Sequence, residues 1–266
     1  MKISFKIHPL TYLSLLIAFI TGYFKETIIF MTIIIIHEIG HVLTAILLKW
    51  HIEKIVILPF GGLTIFNELL NKPLIEELII AIMGPLFQII FVAFIKNDLF
   101  FSYSNIILFI NLIPIYPLDG YKILNIAFNK FISFKKSHII SIYISYFLGF
   151  FLLFSSFLKK ELLYFIFILL LISKLKNELK NHELLFIKFL YERYLYDFKF
   201  KKVKIVSKLE KFKKDYYHYL NINNKLVTEK EILKGKFLKS WPWLFSLKST
   251  KNVWHHLIIM LKLFDV

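Results

Sequence analysis

The chain has 266 residues, of which 58% are hydrophobic, and its mean hydropathy is +0.65. A soluble domain of this length buries only about 70–75% of its surface, so this composition excludes an ordinary soluble globular protein. The absence of cysteine from the sequence excludes a disulfide scaffold and restricts any transition-metal site to histidine and carboxylate ligands.

The net charge of +16 is concentrated in the C-terminal third. Residues 1–173 hold 13 basic and 9 acidic residues, a net charge of +4, whereas residues 174–266 hold 21 and 9, a net charge of +12. This division predicts a transmembrane domain over 1–175, an amphipathic linker helix over 176–202 and a basic cytosolic module over 203–266. A membrane protein with a basic tail accounts for both halves, so direct binding of nucleic acid is not expected.

Six apolar segments are candidates for membrane-spanning helices, because about 20 apolar residues cross the bilayer core. They lie at about 9–24, 27–49, 74–95, 100–118, 137–157 and 161–173. Six spans place both termini on one side of the membrane. The basic tail, together with nine loop lysines on that side against four on the other, predicts that this side is the cytosol.

Residues 55–66, between the second and third segments, are apolar but contain Pro59, Gly61 and Gly62. A stretch this short and this rich in glycine and proline does not span a bilayer. We therefore predict a re-entrant loop or a β-hairpin at the membrane edge, where protein or a water-filled cavity satisfies its backbone.

The C-terminal module has the pattern of a small mixed α/β unit. Residues 204–212 are predicted as a helix and 216–223 as a strand, and Thr228 with Glu231 predicts a capping box at the start of a second helix. The predicted fold class is therefore an all-α polytopic membrane protein of about six transmembrane helices with a re-entrant or β-hairpin loop, followed by this α/β module.

The most informative motif is HEIGH at residues 37–41, in the middle of the second apolar segment. His37 and His41 are one helical turn apart, so both imidazoles can bind one metal ion, and Glu38 beside them is a candidate general base. An ionised residue at the centre of a membrane helix costs about 2.5–3.5 kcal/mol, so these residues need a function. A buried His–Glu network that joins helices and a proton relay are the alternatives to a metal site.

A catalytic zinc ion usually has three protein ligands and one open position. The best candidate for the third ligand is Asp119, in the stretch NLIPIYPLDG at 111–120. Pro114 and Pro117 disrupt a helix, which predicts an unwound backbone that lines a cavity. On spacing alone, a turn-forming or helix-capping aspartate is an equally good interpretation of Asp119.

The motifs HEIGH, LPFGG, GPLFQ and NLIPIYPLDG, in this order, resemble those of the site-2 protease family of intramembrane zinc metalloproteases. KIHPL near the start, NKPLIEELIIAIMGPL, and FLYERY after the last apolar segment further resemble the branch of this family that acts in sporulation. The resemblance covers about residues 6–200. The chain departs from the common family pattern at Tyr121, which follows Gly120, and at Gln88, which replaces an asparagine.

The resemblance implies that His37, His41 and Asp119 bind one zinc ion per chain and that Glu38 activates water. It also implies two groups of substrate-binding residues, in the loop before the third segment and in the motif around the aspartate. These are Pro59, Gly61, Gly62, Asn111, Pro114 and Pro117.

The activity that the resemblance implies is hydrolysis of a peptide bond in a membrane-associated protein, with the sigma factor precursor pro-sigma-K as the substrate during sporulation. It further implies inhibitory membrane partner proteins, both termini on the mother-cell side of the outer forespore membrane, and a C-terminal CBS-type module that binds nucleotide such as ATP. Residues 203–240 are a degenerate match to that module. Whether the chain forms a homo-oligomer is left open.

Three alternatives to this function are open. The first is a site-2 protease that cleaves another membrane-bound regulator, such as an anti-sigma factor. The second is a proton-coupled transporter whose intramembrane histidines and glutamate are relay groups. The third alternative is a membrane scaffold whose basic tail recruits an acidic or nucleic-acid-associated partner.

Overall fold

The computed structural model describes residues 4–58, 61–222 and 225–240. Within these ranges the chain forms eight α helices, one short 3-10 helix (Leu209–Lys211) and six strands. The helices are α1 (Pro9–Thr21), α2 (Phe24–Leu47), α3 (Leu74–Ala93), α4 (Asp98–Leu112), α5 (Asp119–Phe131), α6 (Phe134–Leu158), α7 (Leu162–Leu195) and α8 (Glu229–Ser240). The strands are β1 (Ser4–Ile7), β2 (Ile52–Leu58), β3 (Gly61–Phe66), β4 (Lys202–Val206), β5 (Tyr216–Ile222) and β6 (Lys225–Thr228).

The six predicted apolar segments coincide with α1, α2, α3, α4, α6 and the first part of α7. Of the described helices, α2, α3 and α6 are long and apolar enough to cross a membrane, while α1 and α4 are apolar but have only 13 and 15 residues. A mostly helical membrane body is thus confirmed, whereas six spans stay a prediction.

Helix α7 continues without a break from the sixth apolar segment through most of the predicted linker. The predicted boundary between residues 175 and 176 therefore lies inside a 34-residue helix, and the buried Leu175 packs against Tyr121 and Ile142. The three domain ranges stay predictions. Helix α5, which begins at Asp119, was not predicted.

Among the buried apolar clusters of the body, one joins α2, α3 and α4 and another joins α5, α6 and α7. The first cluster contains Ile33, Ile34, Ile36, Val92, Phe100 and Ile107. The second contains Tyr121, Ile142 and Leu175. The HEIGH motif on α2 and the start of α5 face each other between these clusters, which places the candidate site in the interior of the body.

The predicted β-hairpin between α2 and α3 is formed by the antiparallel strands β2 and β3. Pro59, which follows β2 in the sequence, lies outside the described residues. Strand β1, which the sequence did not predict, pairs in parallel with the other edge of β2. The sheet order β1-β2-β3 leaves β3 as an edge strand, and this strand lies against α2.

The C-terminal module is a second three-stranded sheet, in the order β4-β5-β6, with α8 packed on it. The prediction of a helix at 204–212 is wrong, because Lys202–Val206 is a strand and the only helical residues described there are Leu209–Lys211. Alternating valine, isoleucine and lysine favour a half-exposed strand. The predicted strand and second helix are confirmed, and Thr228 and Glu231 form the predicted capping box: the backbone N–H of Thr228 lies 3.1 Å from Glu231 Oε2.

Arg193, the only arginine in the chain, ties this module to the membrane body. Its buried guanidinium donates to Asn71 Oδ1 (2.7 Å), in the loop before α3, and to the Glu229 carboxylate (3.1 Å) at the start of α8. The ring of Phe189, on α7, lies 4.7 Å from it. Because a buried guanidinium is costly without such partners, this network fixes the end of α7 against both parts of the protein.

The buried His218 of β5 gives the module a pH dependence. Lys213 N–H donates to His218 Nε2 (3.0 Å), so the ring proton is on Nδ1, which faces Glu229 (3.3 Å). Burial lowers the pKa of His218 below its ordinary value of 6.5, the hydrogen bond to Glu229 opposes this, and the charge of Arg193 adds to the lowering. The folded module therefore holds His218 neutral.

We expect acid to destabilise this module. Because the pKa of His218 is lower in the folded than in the unfolded state, the stability it contributes is complete above pH 6.5 and is lost as the pH falls toward the lowered value. The decrease in Tm between about pH 7.5 and about pH 5.5, measured by calorimetry, is expected to be smaller in His218→Phe than in the parent. The same decrease in both would contradict this.

Candidate metal centre

His37 and His41 on α2 and Asp119 at the start of α5 bring three buried ligand atoms to one point. His37 Nε2 and His41 Nε2 lie 2.9 and 3.0 Å from Asp119 Oδ2, and 3.1 Å from each other. Ligands about 2.0–2.2 Å from a tetrahedral zinc ion lie about 3.3–3.6 Å apart. The three atoms are thus within a few tenths of an ångström of a tetrahedral ligand set.

The hydrogen-bond network assigns the proton of each imidazole. His41 Nδ1 lies 2.7 Å from the carbonyl oxygen of Ile80, which can only accept. His37 Nδ1 lies 2.9 Å from Gln88 Oε1, and the Gln88 amide is oriented because its Nε2 donates to Ser104 O at 2.8 Å. In its neutral form each ring therefore carries its proton on Nδ1, and its Nε2 presents a lone pair.

Two nitrogen lone pairs and a carboxylate oxygen thus face one another in a buried site with no proton between the two rings. Such an arrangement is repulsive unless a cation occupies the point on which they converge. Two histidines, one carboxylate and a remaining open side are the donor set of a catalytic zinc site, so the residues present fit zinc. His37, Glu38 and His41 also form a candidate metal-binding group, with ligand atoms within 4.8 Å of one another.

Glycines let the surrounding helices approach this point closely. A Cβ on Gly84 of α3 would lie 2.2 Å from His41 Nε2, and a Cβ on Gly40 of α2 would lie 2.4 Å from the carbonyl oxygen of Met83. A Cβ on Gly120 would lie 2.2 Å from the carbonyl oxygen of Leu112. The glycines of HEIGH and GPLFQ thus allow α2 to pack closely on α3, and the glycine of PLDG allows α5 to pack closely on the end of α4.

Glu38 is held by the hairpin. Its Oε2 accepts a 2.6 Å hydrogen bond from Thr64 Oγ1 on β3, and a Cβ on Gly62 would lie 2.1 Å from Glu38 Cγ. Only glycine fits at this position beside the carboxylate. The sequence indicated Gly62 but not Thr64, whose one signal is a hydroxyl in an apolar stretch.

Lys122, one turn along α5, holds the other oxygen of Asp119. Its Nζ lies 2.8 Å from Asp119 Oδ1, which leaves Oδ2 for the histidines. The sequence did not indicate Lys122, because its relation to Asp119 requires a helix that begins at the aspartate.

A cavity of about 600 Å³ opens onto this centre. Of the six residues predicted to bind substrate, four line it together with Glu38, His41 and Asp119: Gly61, Gly62, Asn111 and Pro117. Pro114 is not among the residues that line this cavity. Its carbonyl oxygen accepts a 3.0 Å hydrogen bond from Ser145 on α6. Pro59 lies outside the described residues.

Comparison with known families and proteins gives matches to a peptidase family and to two proteins, one bacterial and one archaeal. A model of peptidase family M50 matches residues 25–101. Stage IV sporulation protein FB of Bacillus subtilis strain 168 is 37% identical over 145 residues, 50% of this chain and 50% of that protein. A zinc metalloprotease of Methanocaldococcus jannaschii is 34% identical over 119 residues, 39% of this chain and 34% of that protein. The chain therefore spans about half and about a third of the length of these relatives.

Among solved structures, the site-2 protease from Methanocaldococcus jannaschii is similar, with 26% sequence identity and a TM-score of 0.50. The match covers 67% of this chain and 91% of that chain. Together with the three long apolar helices, these comparisons indicate an integral membrane protein.

We expect Gln88 to hold His37 in its metal-binding orientation. Gln88→Leu removes the acceptor of the His37 Nδ1 proton and leaves that buried donor unpaired, so zinc affinity should fall by about 10- to 100-fold. Competition with a chelator on the purified protein measures this. Ile89→Leu, on the exposed side of α3, is the matched control, and an unchanged affinity in Gln88→Leu would remove Gln88 from the site.

Proposed function

We propose that this chain, which is similar to a solved site-2 protease, is a zinc-dependent intramembrane metalloendopeptidase. The observation that carries the proposal is the convergence of His37 Nε2, His41 Nε2 and Asp119 Oδ2 on one buried point. Glu38, next to them in the sequence, completes the set of residues that peptide hydrolysis requires.

In this proposal His37, His41 and Asp119 hold the metal. A zinc ion bound there would lower the pKa of a water ligand toward about 7 and polarise the scissile carbonyl group. Ile80 and Gln88 keep the imidazole protons on Nδ1, away from the metal.

Glu38 is the proposed general base. It takes a proton from the attacking water and delivers it to the leaving amine, which balances the hydrolysis of one amide bond. The hydroxyl of Thr64 donates to Glu38 Oε2 and so restrains the carboxylate at the cavity wall.

The substrate segment enters the cavity in an extended form, since peptide bonds in a helix are hydrogen-bonded and closed to attack. Strand β3 is an edge strand of its sheet, and Gly61, Gly62 and Thr64 on this strand line the cavity. We propose that the substrate pairs with this edge by strand addition. Asn111 and Pro117 then contact it from the same cavity.

The proposed substrate is a membrane-associated sigma factor precursor of the pro-sigma-K type. The 37% sequence identity with stage IV sporulation protein FB, over half of the chain, supports this choice. The net charge of +12 in residues 174–266 suits an acidic substrate that approaches from the cytosol. Both termini would then be cytosolic, on the mother-cell side of the outer forespore membrane, and inhibitory membrane proteins would restrain the enzyme. Another membrane-bound regulator, such as an anti-sigma factor, is the alternative substrate.

ATP binding by the C-terminal module has no support in the comparisons and is not part of this proposal. A proton relay is also disfavoured, because both imidazole protons are donated to fixed carbonyl-type acceptors. A homo-oligomer is compatible with the proposal but not required by it.

Glu38→Gln should abolish cleavage while the protein keeps its zinc. The change removes the base but none of the three metal-holding atoms, so a loss of at least about 100-fold in cleavage rate is expected. Co-expression with a tagged pro-sigma-K-like precursor measures cleavage, and elemental analysis of the purified protein measures zinc. The exposed Glu53→Gln is the matched control, and cleavage by Glu38→Gln at the parental rate would contradict the mechanism.

Asp119→Asn should weaken zinc retention. The neutral amide lacks the charge that balances the metal, and Lys122 loses its partner, so the zinc content after dialysis against a chelator should fall well below one ion per chain. Asp98→Asn, an exposed acid in the first turn of α4, should keep the parental content. Equal zinc content in Asp119→Asn and the parent would exclude Asp119 as a ligand.

A further inference from the structure

Four residues of the C-terminal module, Phe-Lys-Lys-Asp at 212–215, contact the beginning of α3; we refer to them as the docking segment. Asp215 Oδ2 accepts a 3.3 Å hydrogen bond from the backbone N–H of Leu74, the first residue of α3. Lys214 Nζ forms an ion pair with Glu77, one turn further along the helix. The module thus holds the first two turns of α3.

The same segment contacts the turn between α5 and α6. Phe212 O accepts a 2.9 Å hydrogen bond from the backbone N–H of Phe134, and Lys213 Nζ donates to the carbonyl oxygen of Phe131. The docking segment therefore touches α3 and the end of α5 at once, and both helices carry parts of the metal centre.

Helix α3 depends on the module for its N-terminal cap. Pro73 is at its N-cap position and offers no side-chain hydrogen bond, so the backbone N–H of Leu74 finds no side-chain acceptor at the N-cap. The Asp215 carboxylate supplies one, and its negative charge is favourable at a helix N-terminus. Asp215 holds this position with a φ of +58°, a left-handed conformation that aspartate tolerates better than most residues.

The ion pair of Lys214 is not an ordinary surface pair. The Lys214 side chain is only 4% exposed and that of Glu77 23%. A buried ammonium group is strongly unfavourable without its partner, so the pair fixes the register between the docking segment and α3. Glu77 also lines the cavity that opens onto the metal centre.

Helix α3 carries, beyond Glu77, the groups that orient the two histidines. The Ile80 carbonyl oxygen, three residues on, accepts from His41, and Gln88 Oε1, on the same helix, accepts from His37. A shift of the first turns of α3 would therefore move both acceptors relative to α2.

We propose that Lys214 and Asp215 are positioning residues of the metal centre. By capping and pairing the first two turns of α3, they hold Ile80 O and Gln88 Oε1 where these atoms orient the histidines. The inference rests on the proposed function. It makes the C-terminal module part of the support of the metal site, in addition to any role it has with substrate.

Two substitutions in the full-length protein test this inference. Lys214→Met removes the ion pair, and Asp215→Gly removes the cap without strain at the positive φ. Each should weaken zinc binding by at least about threefold, the scale of coupling between residues without direct contact. Lys214→Arg and Asp215→Asn keep a cation and an acceptor, respectively, and should restore the parental Kd. Lys211→Met, exposed on the adjoining 3-10 helix, is the matched control.

The readout is the zinc Kd, from chelator competition, measured beside the Tm of the same samples. Weaker zinc binding in both variants at temperatures where they are folded is the expected result. A lower Tm with an unchanged Kd in both would show a merely structural contact and overturn the inference. If Lys214→Met does not fold, the double variant Lys214→Met/Glu77→Gln replaces it, because this variant also removes the unpaired carboxylate. If the double variant does not fold either, the result for Asp215→Gly decides. If the unsubstituted protein binds no zinc, the proposed function is overturned instead. Failure of the inference and failure of the proposed function are therefore distinguishable.

Discussion

Two imidazole nitrogens and one carboxylate oxygen, which converge on one buried point, are the constraint around which this protein is built. Left without a cation, their mutual repulsion inside an apolar body would separate α2 from α5. The close contacts around these three atoms help to hold them in place. Gly84 brings α3 up to His41, Lys122 turns one carboxylate oxygen away from the histidines, and Ile80 with Gln88 keeps the ring protons at a distance.

The parts of the site that could be predicted are those set by local spacing. His37 and His41 share a helical face because they are four residues apart, and the Gly-rich break at 55–66 predicts a hairpin. Thr64 and Gln88 reach the site only through tertiary packing, so no local pattern identifies their partners. Asp119 could be indicated from its motif, but its orientation by Lys122 depends on a helix that starts at the aspartate and that the two nearby prolines concealed.

The wrong helix at 204–212 has a similar cause. Ile205, Leu209 and Phe212 have helical spacing, while Val203 and Ile205 alternate with lysines as in a strand. Local pattern alone does not decide between the two periods. Pairing of β4 with β5 decides it, because that edge offers backbone partners and leaves Val203 and Ile205 on the exposed face of the sheet.

Asp119 lies 78 positions after His41 in the chain. At a synthesis rate of about 5–20 residues per second, a ribosome needs about 4–16 s to travel that distance. During this interval α2 presents two donor atoms of the centre without the third, and the docking segment is made later still. In the proposed peptidase, binding of the metal by all three residues therefore follows the synthesis of Asp119, and α2 is made before its metal site can be complete.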